Sequence, residues 1–170
     1  INCYRIVCCE TAARVAGALG RAGDAARFRA RAERLRPLVH AAFYDPASGT
    51  YADGDPIDLA FPLLAGVVPE PLREAVSRRL ETEILEVRKG HVAFGLVGVP
   101  VLAAALTALD RHDLLFAMVN QDSYPGWGYM LKNGATTTWE HWDGKRSHIH
   151  NCYNGIGSWF YQGLAGIRPD

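Results

Sequence analysis

The sequence predicts an all-α protein, built as paired helices in series with one long loop of polar and aromatic residues. Three observations predict it. Apolar residues recur three and four apart through most of the first 119 positions. Prolines and Asp-Pro stand where helices start, with glycines where they stop. From residue 121 to 154 that periodicity gives way to Gly, Asn, Thr and aromatic side chains.

The elements follow in order. Ala12, Val15, Ala16 and Leu19 share one face of a first helix that Gly20 ends. Asp24 caps a second, with the stripe Ala25, Phe28, Ala32, Leu35 and Val39, and Pro37 predicts a kink or break inside it. Asp45-Pro-Ala-Ser-Gly49 is a loop. Asp55-Pro56 reads as N-cap and first helical residue of a third helix, ending near Gly66, with Pro62 weakening its middle. Pro69-Glu70-Pro71 opens a fourth, on which Leu72, Val76, Leu80 and Ile84 repeat every fourth position. Pro100 starts a fifth, with Val101, Leu102, Ala105, Leu106 and Leu109, and Asp113 to Val119 continues the pattern. A last helix is predicted from about Gly155 to Leu164, bringing Ile156, Trp159, Phe160 and Leu164 together. Helical pairs of this kind form a bundle, a solenoid or a toroid, and the lack of a strict repeat argues against the solenoid.

Composition narrows the function. The 170 residues suffice for one domain with a core, and 49% apolar with 21% charged residues fits a soluble globular protein. Eighteen basic and eighteen acidic side chains give zero net charge, which argues against nucleic acid or an anionic membrane as the main partner. The arginines of 27–36 fall at helical spacing and read as a solvated face. No apolar run is long enough to cross a membrane, and residues 1–9 do not form a signal peptide. Without an initiator Met, Ile1 is not expected to be the start of a gene product, and the compartment, cytoplasmic or exported, stays open. Cys3, Cys8, Cys9 and Cys152 show no zinc or redox spacing and read as free thiols, with a Cys3–Cys8 bridge or one to Cys152 as the alternatives.

The chemistry concentrates in the long loop, where three of the four Trp residues fall between 127 and 142. Glu140 stands between Trp139 and Trp142, with Trp127 upstream. Indole faces stack on the C–H face of a pyranose, and a carboxylate moves protons or attacks carbon, so this is what a sugar-cleaving pocket needs. The alternative is a surface Glu in a loop whose indoles fill the core. Asp143 is a candidate partner carboxylate. His141, His148 and His150 suit hydrogen bonding to a polar ligand, while a metal site would need a third ligand and supporting shell. No metal or cofactor is therefore assigned. Ser147 and Ser158 lack a nucleophile elbow, and the glycines of 126–134 follow no strand that would make a phosphate loop.

The order Tyr124-Pro-Gly-Trp-Gly-Tyr-Met130, Asn133-Gly-Ala-Thr-Thr-Thr-Trp-Glu-His-Trp-Asp143, His150-Asn151 and a closing Trp159-Phe-Tyr-Gln-Gly-Leu-Ala-Gly-Ile167 resembles the bacterial α-L-rhamnosidases of glycoside hydrolase family 78. Phe43-Tyr-Asp-Pro-Ala-Ser-Gly-Thr-Tyr51, Gly66-Val-Val-Pro-Glu70 and Gly90-His-Val-Ala-Phe-Gly-Leu-Val-Gly98 resemble stretches in the same order in that family, so the resemblance covers nearly the whole chain. It implies an (α/α)6 toroid, the six-hairpin glycosidase fold, and hydrolysis of terminal α-L-rhamnosyl residues with inversion. In that mechanism an acid protonates the leaving oxygen and a base activates water on the other face, the two carboxyls roughly 6.5–9.5 Å apart. By motif position Glu140 matches the general base, Trp127 an aromatic wall of the pocket, and His150 a sugar-contacting histidine. Trp139 and Trp142 match the flanks of the base. The expected partner is a rhamnose-containing glycoside. A different six-hairpin glycosidase or glycoside phosphorylase, or a non-catalytic helical carbohydrate-binding module, are the competing readings.

One family segment has no counterpart. The acid lies in an upstream Gly-Asp-Trp type stretch that is absent here, and the sequence yields about seven helices where a full ring needs twelve. Residues 1–170 thus read as the C-terminal portion of a catalytic domain, a partial barrel with no second domain, whose open apolar face favours self-association. The isolated chain is expected to show little or no rhamnosidase activity, because the two carboxylates act as a unit. Turnover by these 170 residues equal to that of a full-length protein would refute this.

Overall fold

The computed structural model describes residues 1–92, 94–151 and 153–168. Cys152 lies outside the described residues; Cys3, Cys8 and Cys9 are free thiols. Among the described residues the regular structure is helical, as the periodicity predicts, apart from one pair of two-residue strands. It divides into two compact units, Ile1–Arg79 and Leu80–Asp170.

In the first unit, α1 (Asn2–Ala18) and α2 (Ala22–Phe43) form a helical hairpin. The buried stripe of α1 is Ile6, Cys9, Ala13 and Ala16. This corrects the predicted face: Val15 and Leu19 are 53% and 69% exposed. The helix starts at Asn2, so Ile6 and Cys9 set the stripe, and Val15 falls one position, about 100°, away from Ala16. In α2, Ala25, Ala32 and Val39 are buried as expected, but the helix begins at Arg21 as N-cap, and Asp24 lies in its first turn, paired with Arg21 and Arg27. Pro37 does not break α2. Next to it, Arg36 pairs with Glu10 of α1 and donates to the carbonyl of Ala65 at 3.1 Å, which holds the helix through the lost backbone bond.

The predicted loop at 45–49 is the turn of a small hairpin, β1 (Tyr44–Asp45) against β2 (Thr50–Tyr51), antiparallel. Asp45 accepts from the Ala47 N–H and the Ser48 hydroxyl, and Gly49 takes the left-handed φ of 69° that the turn requires. His40 stacks on Tyr44 and its Nδ1 lies 2.7 Å from the Tyr51 hydroxyl. Next, α3 (Pro56–Leu64) opens on Asp55 with Pro56 at its first position and stops at Gly66, φ 65°.

The boundary between units falls within α4 (Glu70–Thr82), which a π-helical turn, Glu83–Val87, prolongs. Val76, Leu80 and Ile84 are buried, as their spacing predicts. In the second unit α5 (Gly98–Ala108) buries Val101, Leu102, Ala105 and Leu106 and packs beside α6 (His112–Val119). Arg111, the N-cap of α6, grips both oxygens of Glu81 at 2.9 and 2.8 Å and also pairs with Asp113. Those bonds hold both carboxyls below the ordinary carboxylate range.

The long loop contains a short helix that periodicity does not reveal, α7 (Trp127–Lys132), with Met130 buried. It forms where Gly126 and Gly128 let the backbone press on Gln121 O, 2.7 and 2.8 Å from where their Cβ atoms would lie. The closing helical run is a 3-10 turn (Asn154–Ile156), an α turn α8 (Gly157–Trp159) and a π turn (Phe160–Leu164). Ile156 and Trp159 are buried, while Phe160 and Leu164 are exposed, because the π turn rotates them off the expected stripe. The Trp159 indole N–H donates to His112 Nδ1 at 3.1 Å.

The 3-10 turn sits so close on α5 that a Cβ on Gly155 would lie 2.9 Å from Pro100 Cβ and Cδ. Gly155→Ala is expected to cost about 1–3 kcal/mol through overpacking. A fall in the denaturation midpoint at unchanged slope would show it; an unshifted midpoint would mean the turn and α5 can part without cost.

Candidate active site

Glu140 is carried by an irregular hairpin that runs from Thr137 to His150. The Glu140 N–H donates to Ser147 O at 2.8 Å, and the His150 N–H donates to Thr138 O at 3.0 Å. Between these two bonds the first arm advances two residues and the second three, the signature of a bulge. The tip turns at Gly144, φ 72°, where the Gly144 N–H donates to His141 O at 3.1 Å. Asp143 accepts there from the Lys145 N–H and pairs with Lys145 Nζ at 2.9 Å. The bond from the lysine holds the Asp143 carboxyl below its usual range. His148 stacks on Trp139 and donates through Nε2 to Gly144 O at 2.7 Å, closing the turn from inside.

The carboxylate itself is half-buried, 30% exposed. Its Oε2 accepts from the Ser147 N–H at 3.3 Å and lies 3.8 Å from His150 Nδ1. Among the described residues Oε1 accepts no hydrogen bond, leaving one oxygen for a water. Glu140 lines a cavity of about 360 Å³ together with Gly95, Leu96, Tyr124, His141, Trp142, Asp143 and Tyr153. That volume holds a single sugar ring with water beside it.

The wall of this cavity is an aromatic stack. Trp142 lies face to face with Tyr153, ring centroids 3.8 Å apart, and edge-on to Trp127 at 5.4 Å and 88°. The Trp127 indole donates to Tyr153 O at 3.3 Å, which ties the three rings together. Trp142 is 8% exposed, and its buried Nε1 has no hydrogen-bond partner among the described residues.

The structure thus places Glu140, Trp142 and Asp143 around one cavity and sets His150 beside Glu140. Trp139, 6% exposed, packs inside the hairpin against His148. Trp127 lines a second, larger cavity of about 560 Å³ with Met130, Leu131, Thr136, Thr137, Thr138, Asn154 and Phe160. Sequence reasoning missed Tyr153, Tyr124 and Ser147 as residues of the site. Tyr124 and Tyr153 sit at the two ends of the aromatic stretch and could have been found by its composition. Ser147 acts through its main chain and leaves no signal in the residue type. Among the described residues no three His, Cys, Asp or Glu side chains group as a metal site, and no helix is long and apolar enough to cross a membrane.

Residues 1–164 match a family model described as the bacterial alpha-L-rhamnosidase 6 hairpin glycosidase domain. The chain is 32% identical to an alpha-L-rhamnosidase of Streptomyces avermitilis, over 94% of its own length and 16% of that protein. It is 30% identical to one from an Alteromonas species, over 89% of its length and 18% of the other. Its fold superposes on the crystal structure of the Streptomyces avermitilis alpha-L-rhamnosidase complexed with L-rhamnose with a TM-score of 0.87, at 29% identity, covering 97% of this chain and 17% of that one. The chain therefore spans about one sixth of the length of the relatives it matches.

Trp142 holds the ring stack together, so Trp142→Ala is expected to cost about 3–5 kcal/mol. Loss of that size in urea unfolding, with collapse of the near-ultraviolet circular dichroism, is the predicted result; a change below about 1 kcal/mol would show that Tyr153 and Trp127 stand without it.

Proposed function

The chain belongs to the six-hairpin glycosidase domain family of the bacterial alpha-L-rhamnosidases, and from that membership we propose that it carries the general-base half of a site that hydrolyses terminal α-L-rhamnosyl residues with inversion. The observation that supports this best is the disposition of Glu140. Its Oε2 is fixed by the Ser147 N–H, its Oε1 is left open, and it lines a ring-sized cavity walled by Trp142 and Tyr153.

In this reading a water bound at Oε1 attacks the anomeric carbon of the sugar. The C–O bond to the leaving group breaks, Glu140 takes the proton of the water, and the acid on the opposite face protonates the leaving oxygen. The acid comes from sequence outside these residues, which form the C-terminal portion of an (α/α)6 catalytic domain. Trp142 gives the pyranose an apolar face, His150 hydrogen-bonds a sugar hydroxyl beside the base, and Trp127 and Trp139 hold Trp142 and the hairpin in place. Self-association of the isolated chain belongs to the same reading; Leu131, Ile149 and Tyr161 are large apolar side chains left exposed.

The test is hydrolysis of an aryl α-L-rhamnoside by the full-length protein carrying this chain, wild type against Glu140→Gln. A loss of roughly 10²- to 10⁴-fold in kcat supports the base role, and β-L-rhamnose as the first product seen by NMR supports inversion. An active Glu140→Gln variant would overturn the base assignment. A wild type inactive on rhamnosides would overturn the substrate and favour another sugar enzyme or a binding module.

A further inference from the structure

The bulge in the Glu140 hairpin raises a question of register. With one residue extra on the second arm, only one of the two backbone bonds, His150 N–H to Thr138 O, sets where His150 falls opposite Glu140; the other, Glu140 N–H to Ser147 O, lies beyond the bulge. Side chains supply what the backbone ladder lacks. The Thr138 hydroxyl donates to His150 O, so Thr138 binds both the N–H and the C=O of the same residue. The Asn154 side-chain amide lies 3.0 Å from that hydroxyl. The near atom of that amide is Oδ1, itself an acceptor, so His150 O and Asn154 Oδ1 share the single proton of the hydroxyl. The Thr137 hydroxyl lies 3.0 Å from His148 O, on the same arm.

We propose that Thr138 is a positioning residue for the base: its hydroxyl locks His150 in register with Glu140, and so fixes the carboxylate that activates water. The proposal rests on the function assigned above. Glu140 follows Thr138 by two residues, so both sit on one side of an extended arm, and His150 Nδ1 reaches within 3.8 Å of Glu140 Oε2 only while the arms keep this register. Without the hydroxyl, the main-chain carbonyl of His150 loses a bond, the bulge is free to migrate, and the carboxylate loses its aim at the water. The substrate pocket itself, walled by Trp142 and Tyr153, does not include Thr138.

Thr138→Val keeps the shape and the β-branch and removes only the hydroxyl; Thr138→Ser keeps the hydroxyl. In the full-length protein, Thr138→Val is expected to lower kcat on an aryl α-L-rhamnoside roughly 10- to 100-fold and to raise KM as well, because His150 is displaced from the sugar hydroxyl it binds. Thr138→Ser is expected to recover kcat to within about threefold of wild type. A defect on the base side has a further signature. In α-L-rhamnosyl fluoride the C–F bond breaks without help from an acid, while the water that forms the new C–O bond still gives its proton to Glu140. The Thr138→Val penalty should therefore be the same on fluoride and aryl substrates.

Wild-type kcat in Thr138→Val, a Ser variant as impaired as the Val variant, or a penalty confined to the aryl substrate would each overturn the proposal. Should Thr138→Val fail to fold, Thr138→Ala, which also lacks the hydroxyl, serves in its place: a loss of kcat equal on both substrates supports the clasp, and an unchanged kcat overturns it. Glu140→Gln is run alongside. An inactive Glu140→Gln beside a fully active Thr138→Val sinks the clasp alone, whereas an active Glu140→Gln sinks the base assignment and the clasp with it.

Discussion

Two hydrogen bonds running in opposite directions between Glu140 and Ser147 are what the site depends on. The main-chain N–H of Glu140 binds the main-chain oxygen of Ser147, and the main-chain N–H of Ser147 binds the side chain of Glu140. A glutamate on a loop ordinarily spends side-chain entropy to hold one geometry. Here the cost is met by a backbone donor that is fixed in any case, and only one oxygen is committed. The rest of the hairpin serves that arrangement. Gly144 makes the turn, His148 closes it against Trp139, and the Asp143–Lys145 pair satisfies the charge at the tip.

Around the hairpin the aromatic stack does what a helix would do elsewhere. Trp142, Tyr153 and Trp127 bury large flat surfaces against one another in a segment with little regular structure. The loop is thereby stiff enough to carry a carboxylate at a defined place, although its backbone bonds are few. Beside it, α5 packs against α6 and against the closing run 154–164, with Gly155 close on Pro100.

Much of this was legible in the sequence, for physical reasons. The every-fourth stripe Val76, Leu80, Ile84 and the Asp55-Pro56 start are local signals, and the structure follows them. The face of α1 was misread because small and branched apolar residues occur on both sides of that helix, and only the buried Ile6 and Cys9 decide between them. Pro37 was read as a breaker because sequence shows the lost hydrogen bond and not the anchoring of Arg36 by Glu10 and Ala65 O. The hairpin at 44–51 and helix α7 are too short for periodicity to register. In the site, Glu140 and the Trp residues are conspicuous as residue types. Ser147 and Thr138 are not, because one works through its main chain and the other through a single hydroxyl whose partner lies twelve positions away.

The edge-to-face contact of Trp127 and Trp142 has an optical consequence. Two indoles with centroids 5.4 Å apart and planes at 88° have strongly coupled electronic transitions. Such a pair splits its far-ultraviolet band into an exciton couplet, a signal of opposite-signed lobes that disappears when either ring moves away. The other two indoles, Trp139 and Trp159, stack on a histidine and lie against a phenylalanine. The protein therefore carries its own spectroscopic gauge of whether the wall beside Glu140 is assembled, readable without a ligand, a label or a reaction.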